Sequence, residues 1–218
     1  MKTKTQQIVR FMTLVASGLL MASASHAATQ PASIFTFTQD AADDVFTTKS
    51  TSWRDPAFGD MGWTHSSDWG AVEAQKGQIV TIKMDATATP GLHPGITVWY
   101  RGADDTAADT YVVDHFYPQN ANQYKKGVTD ETTGEALGDI VMRHVTHGYD
   151  ADGNTETVRR MRPVSDGVSG LLEVSFRAKK TGHYLFVVGG FNPDAGVDAS
   201  VKHNVNINVT VADPAPAQ

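Results

Sequence analysis

Cysteine is missing from all 218 residues, and that absence removes several classes of protein at once. A disulfide framework, thiolate-held zinc, an iron-sulfur cluster and covalently attached c-type haem all need the thiol. Metal chemistry in this chain therefore falls to His, Met and carboxylate side chains. Positive charge is also scarce: 18 Lys and Arg face 24 Asp and Glu, a net charge of −6. Nucleic-acid phosphates need a basic face, so that partner is excluded, and cations are attracted instead. Long apolar runs are confined to the start of the chain. Nothing later approaches the ~18 apolar residues of a bilayer-spanning helix, so no transmembrane span is expected.

The start has a pattern of its own. Lys2, Lys4 and Arg10 form a basic opening, and Phe11 to Ala22 is an apolar run too short for a permanent span. Ser25-His26-Ala27 then gives a small, uncharged cleavage context. Residues 1–27 thus read as a cleaved signal peptide, with the mature chain expected to begin at Ala28. That places the protein outside the cytoplasm: secreted, in the periplasm or on the outer cell surface. Losing the three basic residues lowers the net charge from −6 to −9. Residues 28–213 suffice for one well-buried core and are expected to form a single domain. Residues 214–218 are a flexible Pro/Ala tail.

The body of the chain reads as short strands punctuated by turns. Ile34 to Thr38 is rich in β-branched and aromatic residues. From Val45 to Gly70, Trp, Gly and Asp point to extended segments and turns. Gln78 to Met84 alternates polar and apolar; Gly95 to Tyr100 and Tyr111 to Tyr117 follow, bounded by Pro94 and Pro118. Asn120 to Gly138 is expected as loop or a short helix. Ile140 to Thr146 and Thr157 to Met161 are expected to flank the turn Asp150-Ala151-Asp152-Gly153-Asn154 as a hairpin. Leu171 to Ala178, His183 to Val188 and Val201 to Val211 complete the set. In the last, Val205, Ile207, Val209 and Val211 alternate with Asn204, Asn206, Asn208 and Thr210. The fold class is therefore all-β: mainly an antiparallel β-sandwich, with long loops and one or two short helices.

Chemistry concentrates in Gly62-Trp63-Thr64-His65-Ser66-Ser67-Asp68-Trp69-Gly70. In extended backbone, Trp63 and His65 share a face, so an indole lies beside whatever the imidazole binds. His115 shares a face with Tyr111, Val113 and Tyr117. Imidazole suits copper, zinc, iron and nickel alike. Two neutral donors with no thiolate or carboxylate supply little charge, which fits a monovalent ion and points to Cu(I). The competing reading is ordinary packing, since a Trp-x-His pair arises often by chance.

Gly62-Trp63-Thr64-His65 followed by a second histidine within Tyr111 to Tyr117 resembles the copper(I)-binding proteins of methane-oxidising bacteria, the CorA and MopE C-terminal family. The likeness extends to the signal sequence, the missing cysteines and the β-rich body. It implies a mononuclear site in which His65 and His115 hold the copper ion, Cu+, and Trp63 is oxidised to kynurenine beside it. The function it implies is copper acquisition or storage by a monomeric, non-enzymatic protein. A surface c-type cytochrome as partner and a calcium ion as accessory come with the resemblance.

His144 and His147 are alternatives for the second ligand. Their spacing shares a face on a helix but falls on opposite faces of a regular strand, which ranks them below His115. His93, His183 and His203 lack a second donor nearby and read as ordinary hydrogen-bonded or exposed side chains. Asp104, Asp105 and Asp109, then Asp150, Asp152 and Asn154, then Asn192, Asp194 and Asp198, offer oxygens for calcium, though none completes the twelve-residue loop pattern and turn formation explains them as well. No nucleophile elbow, His-Glu-x-x-His or phosphate loop is present. A copper-dependent oxidase ranks lowest. The alternative to a copper protein is a copper-free β-sandwich module that binds carbohydrate or a surface partner through exposed Trp53, Trp63, Trp69 or Trp99.

Overall fold

The computed structural model describes residues 33–50, 67–112, 122–130, 133–153, 162–193, 196, 198 and 200–214. Residues 1–27, expected as a signal peptide, lie outside them. The strands are β1 (Ile34–Phe37), β2 (Asp43–Lys49), β3 (Trp69–Ala74), β4 (Ile79–Asp85), β5 (His93–Arg101), β6 (Gln123–Thr129), β7 (Ala136–Asp150), β8 (Pro163–Val164), β9 (Leu171–Arg177), β10 (Gly182–Phe191) and β11 (Lys202–Ala212). Among the described residues there is no helix.

Two sheets stack face to face. The larger runs β1-β3-β10-β5-β7-β6, with β8 added beside β7; the smaller runs β2-β11-β4-β9. Pairing is antiparallel except at β1 with β3 and β7 with β8. Period-two patterning makes each strand two-sided. In β11, Val205, Ile207 and Val209 are buried while Asn204, Asn206 and Thr210 face water. The main core lies between the sheets, where Ile82, Met84, Leu172 and Ile207 of one meet Val72, Ile96, Val98 and Phe186 of the other. Phe186 is stacked on Phe46 across the sandwich, with ring centroids 6.1 Å apart. Each such fully buried side chain stabilises the fold by about 1.5–3 kcal/mol.

The larger sheet also buries its outer face. Trp69, Ala71, Trp99, Ile140, Met142, Leu185 and Val187 form a second apolar cluster there, covered by Ala107 and Val112 from the segment after β5. This explains why β5 and β10 read as nearly continuous apolar runs: both of their faces are dry.

One expectation is corrected. The stretch expected as loop or short helix contains β6, which pairs with β7 through an irregular register. The expected return strand of the Asp-Gly hairpin, Thr157 to Met161, lies outside the described residues; beyond it, β8 runs parallel to β7. Side chains hold the described part of that turn. Asp152 accepts hydrogen bonds from the Ser165 hydroxyl and from the backbone amides of Asp166 and Gly167, and these donors, Ser165 foremost, hold its carboxyl below the usual range.

Candidate metal centre

Trp63, His65 and His115 lie outside the described residues, as do Trp53, Asn154 and Asp194. The neighbours that anchor their segments are described. Asp68 binds both sheets: its Oδ2 accepts from the Thr47 amide at 2.6 Å and the Thr47 hydroxyl at 3.0 Å, and its carbonyl accepts from the Val188 amide at 3.3 Å. Trp69, the next residue, is buried in the outer cluster, its ring 5.7 Å from that of Trp99.

A buried guanidinium holds the segment that leads towards His115. Arg101 Nε and Nη2 donate to the two Asp105 oxygens at 2.8 and 2.6 Å, and Nη1 donates to the carbonyls of Asp109 and Tyr111 at 2.8 and 2.9 Å. Asp105 Oδ2 also accepts the Val141 amide at 2.7 Å. Charge-assisted, bidentate bonds of this kind fix a loop where a strand ladder is absent. Tyr111 donates its hydroxyl to Asp130 at 2.9 Å, a bond that raises the phenol above its ordinary value, and Val112 packs into the outer cluster. The segment that follows residues 51–66 and the segment that precedes residues 113–121 thus meet one apolar layer on the outer face of the larger sheet.

The same face carries a histidine pair that strand periodicity had separated. His144 and His147 stand side by side, Nε2 of the first 3.1 Å from Nδ1 of the second, with ring centroids 5.2 Å apart. The reason is a bulge. Trp99 lies opposite His144 and Val98 opposite Thr146, which leaves Val145 as an extra residue and reverses the alternation beyond it. Val145 packs towards the main core, and both imidazoles turn outward, His144 opposite Trp99 and His147 opposite Thr97. Burial, reinforced by the neighbouring ring, pushes His144 down to about 4, so it is neutral at physiological pH. Nothing in Arg143-His144-Val145-Thr146-His147 signals the bulge.

The remaining described histidines have the ordinary partners expected of them. His93 Nδ1 is 2.8 Å from the buried Asp150 carboxylate, His183 Nδ1 is 2.9 Å from Glu73, and His203 Nε2 is 2.9 Å from the Ser50 hydroxyl. The acidic groups are likewise engaged. Asp104 pairs with Arg143, Asp105 with Arg101, Asp150 with His93 and the Gly170 amide, and Asp198 with Ser200. Among the described residues no group of three or more His, Asp or Glu is placed to hold a metal. Trp69 and Trp99, expected as exposed aromatics by the carbohydrate reading, are 3% and 0% exposed. Two of the four tryptophans on which that reading drew are therefore core residues.

The family described as "Copper(I)-binding protein CorA-like" matches residues 26–198. A solved structure of CorA from Methylomicrobium album BG8, described as a surface-associated copper-binding protein important in copper acquisition, is 32% identical, covering 84% of this chain and 99% of that one with a TM-score of 0.74. The secreted protein MopE of Methylococcus capsulatus, in which an oxidised tryptophan facilitates copper binding, shares the fold at 18% identity and a TM-score of 0.55, over 83% of this chain and 99% of that one. No curated protein matches. With most of its length matched, the chain belongs to the CorA-like family of copper(I)-binding proteins.

Proposed function

We propose that this protein captures copper(I) outside the cytoplasm for acquisition or storage, using His65 and His115 as ligands and Trp63, converted to kynurenine, beside the ion. Membership of the CorA-like family supports the metal. The observation that carries the site is the anchoring: Trp69, four residues after His65, and Val112, three before His115, are buried in one cluster on one face. Chains of that length reach roughly 10–14 Å when extended, a span that supports a common ion for the two imidazoles. Two neutral nitrogens compensate a monovalent charge better than a divalent one. An acidic chain raises the local cation concentration, and a site built for retention needs no substrate cleft.

Copper analysis of protein purified from its native host tests the reading. One copper ion bound through these residues predicts that His65→Ala and His115→Ala each lower the copper content by one ion per chain while far-UV circular dichroism is unchanged. Protein that carries no copper, or variants whose copper content equals that of the native chain, would defeat the assignment.

A further inference from the structure

The bulged strand β7 carries a histidine pair that the proposed function does not use. His144 Nε2 and His147 Nδ1 face each other at 3.1 Å on a half-buried surface. Across the ladder from His147 lies Thr97, wholly buried, whose hydroxyl finds no hydrogen-bond partner among the described residues. Trp99, opposite His144, walls the site from the β5 side. A buried hydroxyl without a partner costs free energy, and a pair of imidazoles facing one another at this distance shares one proton between two lone pairs. An ion between them satisfies both nitrogens.

We propose that His144 and His147 form a second binding position for Cu(I), with Nε2 of His144 and Nδ1 of His147 as its ligands. Metal-nitrogen bonds of about 2.0 Å would hold two nitrogens roughly 4 Å apart if the ion were linear and roughly 3.3–3.5 Å apart if it were trigonal or tetrahedral. The observed 3.1 Å is nearer the bent arrangement. A few tenths of an ångström of ring separation then suffice, and a third donor, water or the Thr97 hydroxyl, completes the shell. Both rings are needed as neutral ligands. The imidazole that now donates its proton in the pair moves to its other tautomer on binding, so the neutral pair takes up the ion without releasing a proton. No carboxylate joins the pair among the described residues, and a half-buried site of neutral donors favours the monovalent ion over zinc. Without the bulge residue's reversal of alternation the i, i+3 spacing would put the rings on opposite faces, so the chelate is a product of the register shift.

The test is anaerobic titration of the mature protein with Cu(I) supplied as its bicinchoninate complex. In a His65→Ala/His115→Ala background one equivalent is expected to be withdrawn from the chelator, and adding His144→Gln and His147→Gln is expected to abolish that uptake. In the otherwise native chain, His144→Gln/His147→Gln should lower the stoichiometry by one. If the His65→Ala/His115→Ala protein takes up nothing while the native chain binds copper, the second position is overturned and the primary assignment stands. If instead that protein binds as the native chain does and the His144→Gln/His147→Gln variant binds nothing, the β7 pair is confirmed and the primary assignment falls. Uptake of Zn(II) with no uptake of Cu(I) in the same background overturns the monovalent claim. Should the variants misfold, ¹⁵N spectra of the imidazoles in the native chain decide. Cu(I) must shift His144 Nε2 and His147 Nδ1 while their other ring nitrogens move less, and unchanged signals overturn the proposal.

Discussion

Phe186 lies across the backbone of Gly70, so close that a Cβ on that glycine would stand 2.2 Å from the ring's Cζ and 2.7 Å from both Cε atoms. The two residues are partners in the β3–β10 ladder. The ring cannot retreat, because Phe37 and Phe46 hold it at centroid distances of 5.6 and 6.1 Å. Gly70→Ala is therefore expected to destabilise the protein by about 1–3 kcal/mol through overpacking. Urea unfolding measures it. Phe186→Leu should recover part of that loss in the double variant, because the two sites are in contact. Additive effects would show that the clash is relieved elsewhere.

Arg101 offers a second test. Its partner Asp105 is as inaccessible as the guanidinium itself, 3% against 2% side-chain exposure. Removing one member leaves an uncompensated buried charge. Arg101→Ala is expected to cost about 3–5 kcal/mol, whereas Arg143→Ala, at the exposed pair with Asp104, should change stability by less than about 1 kcal/mol. Because Arg101 also donates to the carbonyls of Asp109 and Tyr111, the variant should speed hydrogen exchange of amides 105–112 more than those of β4. Equal acceleration everywhere would mean that the guanidinium supports the whole fold rather than this segment.

His144 makes the stability of the metal-free protein depend on pH in a set direction. Its folded-state value of about 4 lies below the ordinary 6.5. Between these values the unfolded chain binds a proton that the folded chain refuses, so stability falls as pH drops from about 6.5 to about 4, and this contribution is flat outside that window. The ring is partly exposed, which reduces the effect below what the full shift implies. Denaturant titrations of metal-free protein across the window should show the slope, and His144→Gln should flatten it. A slope unaltered in that variant would assign the proton to another group.

Legibility from sequence followed the physics of each element. β4, β9 and β11 were readable because one face meets the core and the other meets water, leaving period-two alternation in Ile79 to Asp85 or Val205 to Val211. β5 and β10 were readable as apolar runs, although the reason, an outer face roofed by Ala107 and Val112, was not. β6 was hidden because Gln-Tyr-Lys-Lys-Gly is polar and its pairing is broken at Gly127, which adopts a φ of 60°. β3 was obscured by the Trp- and Gly-rich run in which it starts. At the candidate site, residue types were legible but faces were not: one bulge at Val145 overturned the argument that separated His144 from His147. Register is a pairwise property of two strands, and the bulged strand alone does not encode it.

Trp63 supplies the sharpest chemical prediction of the copper reading. Dioxygen activated at the neighbouring ion would add across the C2–C3 bond of the indole, and hydrolysis would then release C2 as formate. The residue loses one carbon and gains one oxygen. Peptide mass mapping of protein from its native host should find that change at Trp63 and leave Trp69 and Trp99, which are buried in the outer cluster, as intact indoles. His65→Ala should leave Trp63 unmodified, because the copper that directs the oxidant is lost. Oxidation at Trp63 that persists in His65→Ala would place the oxidant elsewhere, and oxidation spread equally over Trp69 and Trp99 would mark it as damage in preparation.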